Sequence, residues 1–421
     1  MPDSLYDVTL TGLAYGGDAI GLLPDAAGKE RVVFVPFALP GERVRLRLTE
    51  QRRGFARADL VQLLAPSPDR VTPRCKHFGV CGGCHYQHLS YEAQLKAKTG
   101  ILRDQLRRIG RIEDPPVEDA VPSPVSWHYR NHVQFHLASD GRLGYVRHHG
   151  RDILPITECH LPEPALDSLW PQLEFEPGMH LDRVSIRQGA DEELMVLLES
   201  REPSLPELEM ESGASVVHAY EEHSVVMAGR DHLILRVLDR DFRVSAASFF
   251  QVNTAMAARL VEHMLALARS LPDVQLAHAT ILDVYCGVGL FSAFLAPLCR
   301  QLIGIEASSS ACEDFAANLD EFDNVELYED AAENVLPVLD AQPDIVIVDP
   351  PRGGLEPAAR DGLLRLRPRA VIYISCDPST LARDARQLID GGYRLSSSTP
   401  FDLFPQTYHI ESISLFQRQD G

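Results

Sequence analysis

A thiol and a carboxylate stand near the end of the chain, each in a setting that asks for an explanation. Cys376 follows the apolar run Val371-Ile372-Tyr373-Ile374-Ser375 and precedes Asp377-Pro378. Asp then Pro reads as a helix N-cap and first helical residue, so a strand should end on Cys376 and a helix should begin just after it. Unpaired backbone N–H groups at a helix start favour a thiolate and are expected to lower the pKa of this thiol, with the charge of Asp377 opposing slightly. Taken alone, a cysteine after such a run is a small buried residue. Glu411 lies in His409-Ile410-Glu411-Ser412-Ile413. An acid set among isoleucines needs either a buried partner or a chemical role. Together, a thiolate nucleophile and a carboxylate base suit addition to an electron-poor carbon followed by removal of a proton.

Upstream, Ile281-Leu282-Asp283-Val284-Tyr285-Cys286-Gly287-Val288-Gly289 is an apolar strand running into a Gly-x-Gly turn. Gly287 and Gly289 would let backbone approach a ligand at the carboxyl edge of a sheet. The third glycine of a dinucleotide fingerprint is replaced by Ser292, which favours S-adenosylmethionine over NAD. Glu306 ends the next strand and is placed to accept both ribose hydroxyls, and Asp330, after a third strand, could meet the adenine amine. Asp349-Pro350-Pro351 resembles the Asp-Pro-Pro-Tyr turn of amino-group methyltransferases, with Arg352 where those carry tyrosine. C5 of uracil is a poor nucleophile until a thiolate adds at C6. It then attacks a sulfonium methyl, loses its proton to a base and expels the thiolate, which calls for one cysteine and one carboxylate.

Cys75-x5-Cys81-x2-Cys84 crowds three thiols into ten residues, with Gly79, Gly82 and Gly83 letting the loop wrap tightly. An iron–sulfur cube needs four, and Cys159 is the best fourth ligand. Structural zinc, with His77 or His85 as a substitute ligand, is the rival. The spacing differs from the Cys-x3-Cys-x2-Cys of radical adenosylmethionine chemistry.

The positioning elements divide the chain in three. Residues 1–65 read as short, evenly spaced strands broken by glycines, a small OB-like β-barrel. Residues 66–240 read as a central α+β domain carrying the cysteines, with a helix from Ser90 to about Ile109. Residues 241–421 alternate buried strands and helices, a doubly wound α/β domain. Residues 200–215 read as loop. The net charge is −20, but residues 1–160 hold 21 Lys and Arg against 18 Asp and Glu, while the remainder hold 19 against 42. Arg43, Arg45, Arg47, Arg52, Arg53 and Arg57 form one basic group, and Lys96, Lys98, Arg103, Arg107, Arg108 and Arg111 another. Such patches can steer a polyanion, although two solvated faces would read the same way. With neither a membrane-length apolar run nor a signal-peptide pattern, a cytoplasmic monomer with no membrane contact is expected.

These residues together resemble the RNA uracil-5 methyltransferases that include the transfer-RNA and 23S ribosomal-RNA enzymes, almost end to end. Gly12-Leu13-Ala14-Tyr15-Gly16-Gly17, Val33-Phe34-Val35-Pro36 and Leu39-Pro40-Gly41-Glu42 resemble the family's RNA-binding TRAM barrel, and Ser248-Phe249-Phe250-Gln251-Val252-Asn253 the start of its methyltransferase domain. The resemblance implies that Gln251, Tyr285, Glu306, Asp330 and Asp349 line the cofactor and base pocket and that Phe249 faces the target base. It implies that Cys376 is the nucleophile and Glu411 the C5 proton acceptor. Members with this cysteine spacing carry a [4Fe-4S] cluster, which implies Cys75, Cys81, Cys84 and Cys159 as ligands. The expected substrate is then 23S ribosomal RNA, with the transfer-RNA T-loop as the alternative. Methylation of cytosine C5 or of an exocyclic amine, and a non-enzymatic iron–sulfur RNA-binding module, are the competing readings. Cytosine enzymes carry a cysteine where Pro351 stands, and intact Cys376 and Glu411 speak against a module without activity.

Overall fold

A computed structural model of the chain describes residues 5–24, 28–203, 213–221 and 223–419. Five strands, β1 (Leu5–Leu13), β2 (Ala19–Pro24), β3 (Glu30–Val35), β4 (Arg43–Gln51) and β5 (Phe55–Ala65), close into a barrel in the order β1-β2-β3-β5-β4. Alternation builds it. Along β4, Val44 and Leu46 point inward, and Arg43, Arg45 and Arg47 are left on the outer side. Asp7 on β1 bonds Arg45 and lies beside Arg43, so part of the expected basic group is already paired.

The Cys75–Cys84 loop follows, then α1 (Tyr91–Arg108). Leu102 and Leu106 of α1 bury into one face of the C-terminal sheet. Lys98 does not belong to a surface patch, contrary to its place in the expected basic group. It lies on the inner side of α1, fully buried, with Nζ donating to Asp402 Oδ1 at 2.5 Å and to the Phe404 carbonyl at 3.1 Å. A buried ammonium persists only with such partners.

The central sheet contains β6 (His132–Leu137), β7 (Leu143–Val146), β8 (Ile153–Pro155), β9 (Arg183–Gln188), β10 (Leu194–Ser200), β11 (Ser215–Tyr220) and β12 (His223–Ala228). Its order is β12-β11-β10-β9-β6-β7-β8, and helix α2 (Pro164–Leu169) covers its core. The loop expected over residues 200–215 falls mostly outside the described residues. The hairpin of β13 (His232–Val237) and β14 (Arg240–Ser245) straddles the boundary expected at residue 240. Its Leu235, Val237, Phe242 and Val244 nonetheless sit in the C-terminal core.

That C-terminal body runs α3 (Thr254–Ser270), β15 (Thr280–Val284), α4 (Ser292–Leu295), β16 (Gln301–Glu306), α5 (Ser309–Asn318), β17 (Val325–Glu329), α6 (Ala332–Val335), β18 (Ile345–Val348), α7 (Pro357–Leu366), β19 (Ala370–Ser375), α8 (Pro378–Asp390), β20 (Tyr393–Phe401) and β21 (Glu411–Arg418). The sheet order is β17-β16-β15-β18-β19-β21-β20, parallel except that β21 runs against both its neighbours. Both faces carry a hydrophobic core, which is why β15, β18 and β19 are buried throughout and mostly apolar. Strand order reverses between β15 and β18, and crevices for ligands open at such a switch point. Among the described residues, no helix is long and apolar enough to cross a membrane.

Candidate active site

The carboxyl ends of β15, β16, β18 and β19 open on a cavity of about 620 Å³. Its walls are built strand by strand. After β15 the backbone turns at Tyr285, whose φ of 64° is unusual for a residue with a side chain. The Tyr285 and Cys286 N–H groups both donate to the Ile305 carbonyl, at 2.9 and 3.1 Å, which fastens the turn to β16. Gly287 has φ 55° and open space where a Cβ would stand, and it lines the cavity. Gly289 is different. It has φ 90°, and an added Cβ would lie 2.5 Å from Leu319 and 3.0 Å from Phe315, so it lets α5 pack against the turn and lies outside the cavity wall. Glu306, at the end of β16, accepts from the Gly287 N–H at 2.9 Å with one oxygen and from Ala307 and Ser308 N–H with the other. Asp330 stays away from the cavity. It is exposed and accepts from the Ala331 N–H and the Asn334 side chain, so its bonds go to the start of α6.

Asp349 follows β18, its N–H held by the Val284 carbonyl at 3.2 Å. Burial, reinforced by the nearby Asp283, raises its carboxyl to about 7. Asp283 itself lies under the turn, bonded by Ser292 at 2.6 Å, and burial also lifts it to about 7. Cys376 comes directly after β19. Asp377 is the N-cap of α8 as the sequence indicates, its Oδ1 accepting from Ser379 N–H at 2.8 Å and Thr380 N–H at 3.1 Å. Ser375 of β19 pairs with Ser412 of β21, so the antiparallel register puts Cys376 and Glu411 opposite each other one step further out.

The expected lowering of the Cys376 thiol does not occur in this structure. Burial, then Glu411 and Asp349, push it up to about 12, with Asp377 adding to them and Arg352 pulling the other way. The helix start is outweighed by burial first and then by the acids that face the sulfur. Glu411 is likewise raised well above the carboxylate range, by burial first and then by Asp349, with Arg352 and Lys98 opposing.

Phe249 stands at the cavity rim, 70% exposed, and Gln251 in the wall is 8% exposed. Their segment is clamped from the central sheet. Asn131 donates to the Gln251 carbonyl at 3.0 Å, and Arg187 to the Ser248 carbonyl at 3.0 Å. The cavity therefore gathers Phe249, Gln251, Tyr285, Gly287, Glu306, Asp349, Cys376 and Glu411, and leaves out Gly289 and Asp330. The sequence reading did not count Arg352, Phe404 or His409 as site residues, yet all three line the cavity. Arg352 follows the Pro-Pro turn directly, which was a usable signal. Phe404 and His409 sit in a loop with no motif.

The four cysteines Cys75, Cys81, Cys84 and Cys159 meet around a second cavity of about 230 Å³. The His77 N–H donates to the Cys75 sulfur and the Gly83 N–H to the Cys81 sulfur, both at 3.4 Å. Burial pushes Cys84 up to about 12 and Cys159 to about 11, while the half-buried Arg130 in the same wall favours their thiolates. Among the described residues, no group of three or more His, Cys, Asp or Glu side chains is set to hold a metal ion. His409 lines both cavities.

The family profile described as tRNA (uracil-5-)-methyltransferase matches residues 218–419, and that of the TRAM domain matches residues 2–61. An RNA methyltransferase of Aquifex aeolicus is 33% identical, with all of both chains covered. One from Chlorobaculum tepidum is 31% identical over 99% of this chain and 97% of its own. Among solved structures, the Pyrococcus abyssi tRNA (uracil-54, C5)-methyltransferase in complex with S-adenosyl-L-homocysteine superposes with a TM-score of 0.72 at 26% identity, covering 98% of this chain and 100% of that one. The chain thus belongs to the RNA (uracil-5-)-methyltransferase family, enzymes that use S-adenosylmethionine, and its barrel is a TRAM domain.

Proposed function

We propose that the protein methylates carbon 5 of a uridine in 23S ribosomal RNA through a covalent adduct of Cys376 with C6. One observation carries the reaction: the thiol, just past the end of β19, and the acid, at the start of the antiparallel neighbour β21, line the cavity that also holds Glu306 and Asp349. Fit to the cofactor rests on the donor set. Glu306 keeps lone pairs for ribose hydroxyls, Gly287 leaves open space, and the Tyr285 phenol is buried without a partner at the cavity wall. When bound, S-adenosylmethionine supplies the electrophilic methyl group. Phe249 at the rim offers a face for the displaced base. Cys376 adds to C6, and its proton passes to Asp349 as the C–S bond forms, so that Glu411 stays free. Arg352 neutralises charge that builds on the pyrimidine ring. Glu411 takes the C5 proton, and the thiolate leaves.

Four thiols around one cavity, with N–H donors to two sulfurs and the half-buried Arg130, support a [4Fe-4S] cluster on Cys75, Cys81, Cys84 and Cys159. Protein prepared without oxygen should be brown with about four irons per chain. Cys81→Ser or Cys159→Ser should lose that iron. Methylation should fall with it, because the His85 and Tyr86 N–H groups bind the Gln406 carbonyl, three residues before His409 of the active-site wall. Colourless protein with one zinc, or a Cys159→Ser variant with full iron content, would refute this ligand set.

The cysteine cavity supports the ribosomal substrate through the resemblance. The solved transfer-RNA enzyme supports a second reading, the T-loop of transfer RNA. Incubation with labelled S-adenosylmethionine and either RNA, followed by nucleoside analysis, separates them. 5-Methyluridine in transfer RNA alone would overturn the ribosomal assignment, and 5-methylcytidine or a methylated amine would overturn the reaction.

A further inference from the structure

We propose that Tyr15, on the turn between β1 and β2 of the TRAM barrel, is a positioning residue for methyl transfer that holds the nucleophile loop through Asp377. Its phenol donates to Asp377 Oδ2 at 3.1 Å, a contact between residues 362 apart in sequence. The two oxygens of Asp377 are thus divided. Oδ1 caps α8, and Oδ2 is fastened to the barrel. Asp377 follows Cys376 directly, so the bond fixes the peptide that carries the sulfur.

The turn is shaped for this reach. Ala14 N–H donates to the Asp18 carbonyl and Gly17 N–H to the Ala14 carbonyl, with φ 107° at Gly16 and 98° at Gly17. A Cβ on Gly17 would lie 3.2 Å from the Cβ of His85, so the turn sits tightly against the end of the cysteine loop. The Tyr15 ring also meets Tyr408 edge-on, with centroids 5.6 Å apart. Tyr408 precedes His409 and lies three residues before Glu411. One barrel side chain therefore touches the segments bearing both halves of the Cys376–Glu411 pair. Burial and Asp377 keep the phenol protonated, which makes it a standing donor. The charged or titratable groups facing this region are Glu411, Asp349, Arg352 and Asp377 around the thiol, and Asp377, Tyr408 and Arg352 around the phenol.

The inference rests on Cys376 being the nucleophile, so its test begins by locating the adduct of full-length wild-type protein with 5-fluorouridine RNA. Adduct found elsewhere than Cys376 overturns that reading and this one with it. With Cys376 confirmed, Tyr15→Phe keeps the ring and removes the donor. Adduct formation at saturating RNA should slow about tenfold, as for loss of a hydrogen bond to a charged group, with RNA affinity and melting temperature unchanged. Asp377→Ser keeps an N-cap but is too short to reach the barrel. In that background, Tyr15→Phe should change the rate by less than about twofold, because coupled residues are non-additive. A Tyr15→Phe enzyme with the wild-type rate, effects that multiply in the double variant, or a loss confined to RNA affinity would each overturn the proposal.

Discussion

Alanine in place of Cys376 should lower methylation by on the order of 10⁴-fold or more, since loss of a covalent nucleophile leaves only binding and orientation. Cofactor affinity should survive, because Glu306 and Gly287 are anchored to β15 and β16 and owe nothing to the sulfur. A 5-fluorouridine substrate, which has no C5 proton to give up, should trap the wild-type protein covalently and leave the alanine variant free. The thiol's surroundings add a second readout. With burial, Glu411 and Asp349 holding it up at about 12, the free protein carries little thiolate at neutral pH. Alkylation of Cys376 should then accelerate roughly tenfold per pH unit between about pH 7 and 10, following the thiolate fraction. Substantial turnover by Cys376→Ala would sink the nucleophile assignment. Rapid, pH-independent alkylation near neutrality would show that the helix start prevails after all.

The reach of the sequence differs from element to element, for physical reasons. Strand-to-turn signals with strong local chemistry were readable. Asp377-Pro378 gave the helix start, Gly287 the open side of the first turn, and the alternation of β4 the outer arginines. For Gly289 and Asp330, which stand outside the cavity wall, a short-range motif shows that a glycine or an acid is needed, while only packing shows against what. Gly289 faces Leu319 and Phe315, and Asp330 faces its own helix. Lys98 was misread for a similar reason: a lysine on a helix looks solvated until its partner, here Asp402, some 300 residues later, is in place. The acidity of Cys376 depends first on burial and then on the carboxyl groups of Glu411, Asp349 and Asp377, and no local pattern reports their sum. Cys159, expected as the fourth thiol from the need for four and from the resemblance, lines one cavity with the other three, whereas the wall shared through His409 required the fold.

Glutamine in place of Glu411 should separate the two halves of the reaction. Shape and hydrogen-bonding capacity persist, so the thiol can still add and the methyl can still transfer, but the C5 proton has no acceptor. The covalent protein–RNA complex, already methylated, should accumulate while turnover falls by roughly 10²- to 10⁴-fold, the usual worth of a positioned base. Stability should move the other way. Burial and Asp349 raise the folded-state pKa of Glu411 above its unfolded value, so the folded protein binds the extra proton and the wild type loses stability as pH rises past the unfolded carboxyl range. Glutamine cannot ionise. The variant should therefore melt like the wild type near pH 4 and at a higher temperature than the wild type at pH 8. Such an exchange of stability for chemistry is what a charge-competent acid in an apolar wall entails. Normal turnover by Glu411→Gln would place the base elsewhere. Equal melting temperatures at both pH values would mean that Glu411 is ionised and paired in the free enzyme, with Arg352 and Lys98 outweighing burial.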